Sequence, residues 1–124
     1  MQRLLDNRTG KKILPETYVS YKVEGDFLLV DFSAYDSSLN SFSHVNNDQL
    51  YRGDVVEVFL DLGDEFYYEL EVAPNGATFV AKIIDKTPIF INDDFFKSEV
   101  KVVGNDYFVK MSINLAKLGR FETL

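Results

Sequence analysis

Apolar and polar residues trade places at every second position through much of this chain, and no segment sustains the three-to-four-residue spacing of a helix. A period of two puts successive side chains on opposite faces of a strand. Residues 17–24, 27–35, 54–61, 66–72, 77–84, 98–103 and 107–113 read as strands on this basis. Val19, Tyr21 and Val23 share a face of the first, and Leu28, Val30 and Phe32 share a face of the second. Glu24-Gly25-Asp26, 62–65, Pro74-Asn75-Gly76 and Gly104-Asn105-Asp106 are the turns between them, because Gly and Asn tolerate positive φ. Short strands joined by such turns predict an all-β fold, an antiparallel β-sandwich that is jelly-roll-like and immunoglobulin-like in general architecture.

The inward faces predicted from this phase carry Val56, Val58, Leu60, Phe66, Tyr68, Leu70, Val109, Met111 and Ile113. Tyr67, Glu69 and Glu71 take the outward phase of their strand. A chain of 124 residues supplies one core, so residues 1–124 read as a single domain. Eleven Phe and seven Tyr suit a pleated, half-buried surface, and there is no Trp.

The charge narrows the partners. A net charge of −7 offers no positive face for nucleic acid and is repelled by anionic lipid. No apolar run approaches the roughly 20 residues of a membrane helix. The absence of Cys excludes disulfides, thiolate catalysis and Cys-ligated zinc. The first eight residues contain no apolar stretch of the signal-peptide kind. That leaves the compartment open: extracellular for a piece of a secreted protein, otherwise cytoplasmic.

Three stretches lack the alternation. Residues 1–16 read as an edge segment or loose arm with basic residues Arg8, Lys11 and Lys12. Residues 36–49 form a polar loop too long for a tight turn, a kind of segment that often carries function. Residues 86–97, with Pro88 and Phe95-Phe96, are expected to be irregular, and 114–119 to make one helical turn ended by Gly119.

One pair of strands is distinctive. Tyr51-Arg52-Gly53-Asp54-Val55-Val56-Glu57-Val58-Phe59-Leu60-Asp61 is followed by Phe66-Tyr67-Tyr68-Glu69-Leu70-Glu71-Val72 and the Pro74-Asn75-Gly76 turn. Together with Met111-Ser112-Ile113-Asn114-Leu115-Ala116-Lys117-Leu118-Gly119, this resembles carbohydrate-binding module family 9 and its DOMON-like β-sandwich relatives. The resemblance spans roughly 18–119. It implies noncatalytic binding of a sugar or glycan, with aromatic rings stacking on the apolar sugar face and polar side chains satisfying the hydroxyls. Tyr51 stands where the family often has Trp. A final strand usual in the family has no counterpart after Gly119. The alternative is a structural or protein-interaction sandwich without a sugar site, which the lack of Trp favours.

The expected ligand-binding residues are Tyr51, Arg52, Glu71 and Lys82, bordering one concave surface with the 36–49 loop at its edge. Glu57, Glu69 and Glu71 project from adjacent strands as a potential cluster for sugar or cation, with a plain solvent face as the alternative. Lys82 is expected beside Glu71 across the Asn-Gly turn. No catalytic residue, cofactor or metal ligand is assigned. Calcium is the minority reading, since Asp36, Asp54, Asp61 and Asp64 near loop ends lack EF-hand spacing. His44 and Met111 are the single pair available for haem, and Met111 reads more simply as core.

Overall fold

The computed structural model describes residues 2–3, 17–35, 39–41 and 43–118. Its strands are β1 (Gln2–Arg3), β2 (Thr17–Glu24), β3 (Phe27–Tyr35), β4 (Val56–Leu60), β5 (Tyr67–Val72), β6 (Thr78–Ile84), β7 (Thr87–Phe90), β8 (Phe96–Val103) and β9 (Asp106–Asn114). Every pairing is antiparallel. One sheet runs β1-β2-β3-β9-β8 and the other β4-β5-β6-β7. The seven expected strands are all present, with ends shifted by at most two residues.

Inward side chains from both sheets form one core. Val30 and Phe32 of β3, Tyr107, Val109, Met111 and Ile113 of β9, and Tyr68, Leu70 and Val72 of β5 are all buried there. Val58, Leu60 and Phe66 pack against it half-buried. A hydrogen bond crosses between the sheets: the Tyr107 hydroxyl donates to the Val72 carbonyl oxygen. Burial holds that hydroxyl in its protonated, donating form by raising its pKa.

Residues 86–97 differ from expectation, because Thr87–Phe90 is a strand. The turn before it places Asp85 at φ 49° and Lys86 at φ 64°. Two consecutive positive φ values match the twist of a two-residue hairpin. Pro88 is accommodated because β7 is the edge of its sheet. At the N-terminus, Gln2 and Arg3 pair with Val19 and Tyr18 as an edge segment. The rest of the 1–16 arm, and Gly119 with the chain after it, lie outside the described residues. Leu115–Leu118 makes the expected helical turn, in 3-10 form.

The Pro74-Asn75-Gly76 turn closes β5 onto β6 as expected. Gly76 N–H donates to the Ala73 carbonyl oxygen at 2.9 Å, and Gly76 takes φ 90°. The Asn75 side-chain oxygen accepts from Ala77 N–H at 2.9 Å. This turn sets a register in which Tyr68 faces Lys82 and Glu71 faces Phe79.

Candidate functional site

The β4-β5-β6-β7 sheet has an outer face that is neither flat nor uniformly polar. The register lays its side chains in rows across the strands. Glu57, Glu71 and Phe79 form one row; Phe59, Glu69, Ala81 and Phe90 form the next; Tyr67, Ile83 and Pro88 form the third. Aromatic edges meet aromatic faces within this layer. Phe59 and Tyr67 are 5.9 Å apart at 73°, and Phe79 and Phe90 are 5.5 Å apart at 78°. Such pairs hold rings in fixed orientations while leaving them partly exposed.

The polar residues 39–41 and 43–49 are fastened to the end of β6 that β7 does not reach, and to the turn before it. Asn47 N–H donates to the Thr78 carbonyl oxygen at 2.8 Å, and the Asn47 side-chain oxygen accepts from Val80 N–H at 2.9 Å. The Asn46 side-chain oxygen accepts from Thr78 N–H at 3.0 Å. Two Asn side chains thus complete the hydrogen bonding that another strand would supply. Asn47 itself takes φ 65°, a conformation Asn adopts more readily than most residues. Asn75 secures the same segment from the turn, donating to Ser41 Oγ at 3.1 Å and to the Ser43 carbonyl oxygen at 2.8 Å. Asp54 and Asn40 exchange two hydrogen bonds of 2.7 Å, tying the segment to the approach to β4.

A 3-10 turn, Leu50–Arg52, follows. Leu50 is fully buried with Ala73 and Ala77, and Val55 and Phe79 pack on them. This small cluster anchors the turn and presents Tyr51 to solvent, 63% exposed. Between the turn and the sheet lies a groove of about 500 Å³. Tyr51, Tyr67, Glu69, Glu71, Phe79 and Phe90 line it, with Asn47 to Gln49 and Lys86 at other points of its wall.

Three carboxylates lie together on this face. One carboxylate oxygen from each of Glu57, Glu69 and Glu71 lies within 4.8 Å of the others. Glu71 is only 2% exposed although its strand phase is outward. Its Oε1 has no hydrogen-bond partner. Burial first, and then the neighbouring Glu57 and Glu69, raise its pKa from the ordinary 4.5 to about 8. Burial also raises the pKa of Glu69, against a lowering hydrogen bond with Glu71. On the loop, Asp48 is held below the usual carboxylate range, first by the Gln49 N–H and then by Ser43, with Arg52 adding charge.

Of the four residues expected to border one surface, Tyr51 and Glu71 line the groove together. Arg52 stands exposed on the same 3-10 turn, where its charge acts on Asp48. Lys82 is on the opposite face. It pairs with Tyr68 and Ile89, and its Nζ sits 4.3 Å from the centre of the Phe66 ring. The expected proximity of Lys82 to Glu71 is corrected by the register: even-numbered residues of β5 face even-numbered residues of β6, so Lys82 shares the inner phase of Tyr68 and Leu70. Met111 is buried in the core while His44 is exposed beside Asn75, so these two do not form an axial pair. Asp54 is occupied with Asn40, and the Asp61 carboxylate accepts from Gly63 N–H at 2.9 Å.

Sequence reasoning did not place Tyr67, Phe79 or Phe90 in the site. The strand phase of Tyr67 was readable and the Asn75-Gly76 turn sets Phe79 opposite Glu71, but the placing of Phe90 depends on the β6–β7 turn, which has no Gly.

No protein-family model matches the sequence, and no curated protein matches it. Solved structures do match the fold. A protein from Bacteroides uniformis described as a candidate carbohydrate-binding protein superposes with a TM-score of 0.75 at 16% identity, over 92% of this chain and 58% of that one. A carbohydrate-binding module of family 9 from Caldicellulosiruptor kristjanssonii, in complex with glucose, matches with a TM-score of 0.62 at 22% identity. Its complex with cellotriose matches with a TM-score of 0.59 at 24% identity. Both of these matches cover 81% of this chain and 50% of the other. The chain thus spans little more than half the length of these proteins, and it has the β-sandwich fold of carbohydrate-binding module family 9.

Proposed function

We propose that this domain binds carbohydrate without catalysis, in the groove on the outer face of the β4-β5-β6-β7 sheet. The observation that carries the reading is the joint presence of Tyr51, Tyr67 and buried Glu71 along one groove of about 500 Å³. A cleft of this size suits a small ligand. Exposed tyrosine rings offer flat apolar faces to a pyranose, and carboxylates accept from its hydroxyls. The shared fold supports the reading, since the Caldicellulosiruptor modules are described in complex with glucose and cellotriose. A hydrolase would need two carboxyl groups flanking the scissile bond. Here the three glutamates rise from one patch of sheet floor on the same side of any ligand.

Titration calorimetry with glucose and with cellotriose tests the reading. Binding is expected, and Tyr51→Ala should weaken it by about tenfold or more, corresponding to about 1.4 kcal/mol, with Tm nearly unchanged. No heat with either sugar, or full affinity in Tyr51→Ala, sets the reading aside. One observation favours the structural or protein-interaction alternative. Tyr21 and Val23 of β2, in phase with half-buried Val19, are 69% and 63% exposed. Apolar side chains standing open at that edge suit a contact with another polypeptide.

A further inference from the structure

We propose that Glu57, Glu69 and Glu71 form a binding site for a hard divalent cation, Ca²⁺, on the outer face of the sheet, at the side of the groove that Glu69 and Glu71 line. The carboxylate oxygens are close enough together to share one coordination shell. Calcium takes oxygen ligands at about 2.3–2.6 Å, so ligand oxygens on opposite sides of one ion stand about 5 Å apart. One oxygen from each glutamate already lies within 4.8 Å of the others. No side chain has to cross the sheet to bring them together.

Glu71 points to a ligand independently of the clustering. It is 2% exposed, it lines the groove, and its Oε1 accepts no hydrogen bond. Buried polar atoms are almost always paired, and an unpaired one costs about 1–3 kcal/mol, more for a charged group. The register compounds this cost. Glu57 lies directly opposite Glu71, so ionising both would set like charges face to face across the sheet. Lys22 and Lys117 make their ion pairs elsewhere, with Glu24 and Asp94. Lys82, the nearest base in register terms, is turned to the other face. A divalent cation gives Oε1 a partner and lets the three carboxylates ionise side by side.

The donor set selects the ion. Three carboxylates offer up to six oxygens and neither nitrogen nor sulfur, which suits Ca²⁺ over zinc or copper. Magnesium demands near-ideal octahedral geometry, while calcium accepts bidentate carboxylates of irregular spacing. Glu57 is exposed and Glu69 half-buried, so the ion would face the groove and complete its shell there with water. The site rests on side chains of this chain alone and does not require the carbohydrate reading.

The full chain, stripped of metal with chelator, is titrated with Ca²⁺ by calorimetry and followed in parallel by Tm. Tyrosine-sensitised Tb³⁺ luminescence reports the same site. One ion per chain and a rise in Tm are expected, with Glu71→Gln and Glu57→Gln each weakening binding at least about tenfold. Glu57→Gln alters an exposed side chain and keeps the test valid if Glu71→Gln folds poorly. Glu99→Gln, on the other sheet, should bind as the wild type does. Absence of saturable binding up to about 10 mM Ca²⁺, above the weakest range of dedicated calcium modules, overturns the proposal. So does binding that survives both glutamine substitutions.

Discussion

Glu71 shows how far a side chain's surroundings can depart from its strand phase. Alternation assigns it outward, and outward it points, yet it is as buried as the core. Its presence near Glu57 and Glu69 was readable from the sequence, because all three sit on neighbouring strands in matching phase. Its burial was not, since strand phase alone marks it as outward and the residues that share its groove, such as Asn47, Tyr51 and Phe90, come from other parts of the chain. The consequence is a pH dependence of the metal-free fold. Below 4.5 both folded and unfolded chains hold the Glu71 proton, and the folded state has its full advantage. Between 4.5 and about 8 the unfolded chain has released that proton while the folded chain retains it, so stability falls as pH rises. Above about 8 both are ionised and the decline stops. Glu57 and Glu69 face the same carboxyl, and Asp48, Lys86, Tyr51 and Tyr67 line the same groove. Glu71→Gln should therefore flatten the decline across this window, measured as denaturant midpoint against pH in the presence of chelator. A slope equal to that of the wild type would locate the proton elsewhere.

At the scale of elements, the β6–β7 hairpin was hidden in the sequence while the others were plain. Hairpins closed by Gly25, Gly76 and Gly104 announce themselves, for each of these takes a positive φ. The β6–β7 turn uses Asp85 and Lys86 in that same backbone region. Lys has a side chain that crowds the left-handed conformation, at about 1 kcal/mol per residue. Lys86→Gly should accordingly raise stability by about 0.5–1 kcal/mol, read from chemical denaturation, with the hairpin intact. A loss of stability would mean that the Lys86 side chain contributes more by its contacts than its backbone conformation costs. Pro88 misled in the same direction, because proline speaks against a central strand but is tolerated on an edge. With β7 unseen, Phe90 could not be placed beside Phe79, and one side of the groove was missing from the sequence-based picture.

For the molecule as a whole, the sandwich was legible and its division into sheets was not. Alternation says which face of each strand is apolar, and that is enough to demand two layers. It does not say that β3 pairs with β9, a contact such as Phe32 with Val109 that no turn encodes. Besides apolar packing, the Tyr107 hydroxyl on the Val72 carbonyl oxygen joins the layers. Tyr107→Phe keeps the ring and removes the bond, and should cost about 1–2 kcal/mol in thermal or chemical unfolding. An unchanged midpoint would show the cross-layer bond to be energetically silent.

The wall of the groove has a property of its own. It hangs from β6 and the β5–β6 turn by the side chains of Ser41, Asn46, Asn47 and Asn75 and by one backbone hydrogen bond, Asn47 N–H to the Thr78 carbonyl oxygen, in place of a continuous strand ladder. A ladder ties shape to the whole sheet, so altering it alters the fold. Pegs of single side chains can be exchanged one at a time. The scaffold and the wall are therefore separable under mutation, and the same sandwich can acquire a differently cut groove by a few substitutions in one loop while its two layers stay as they are.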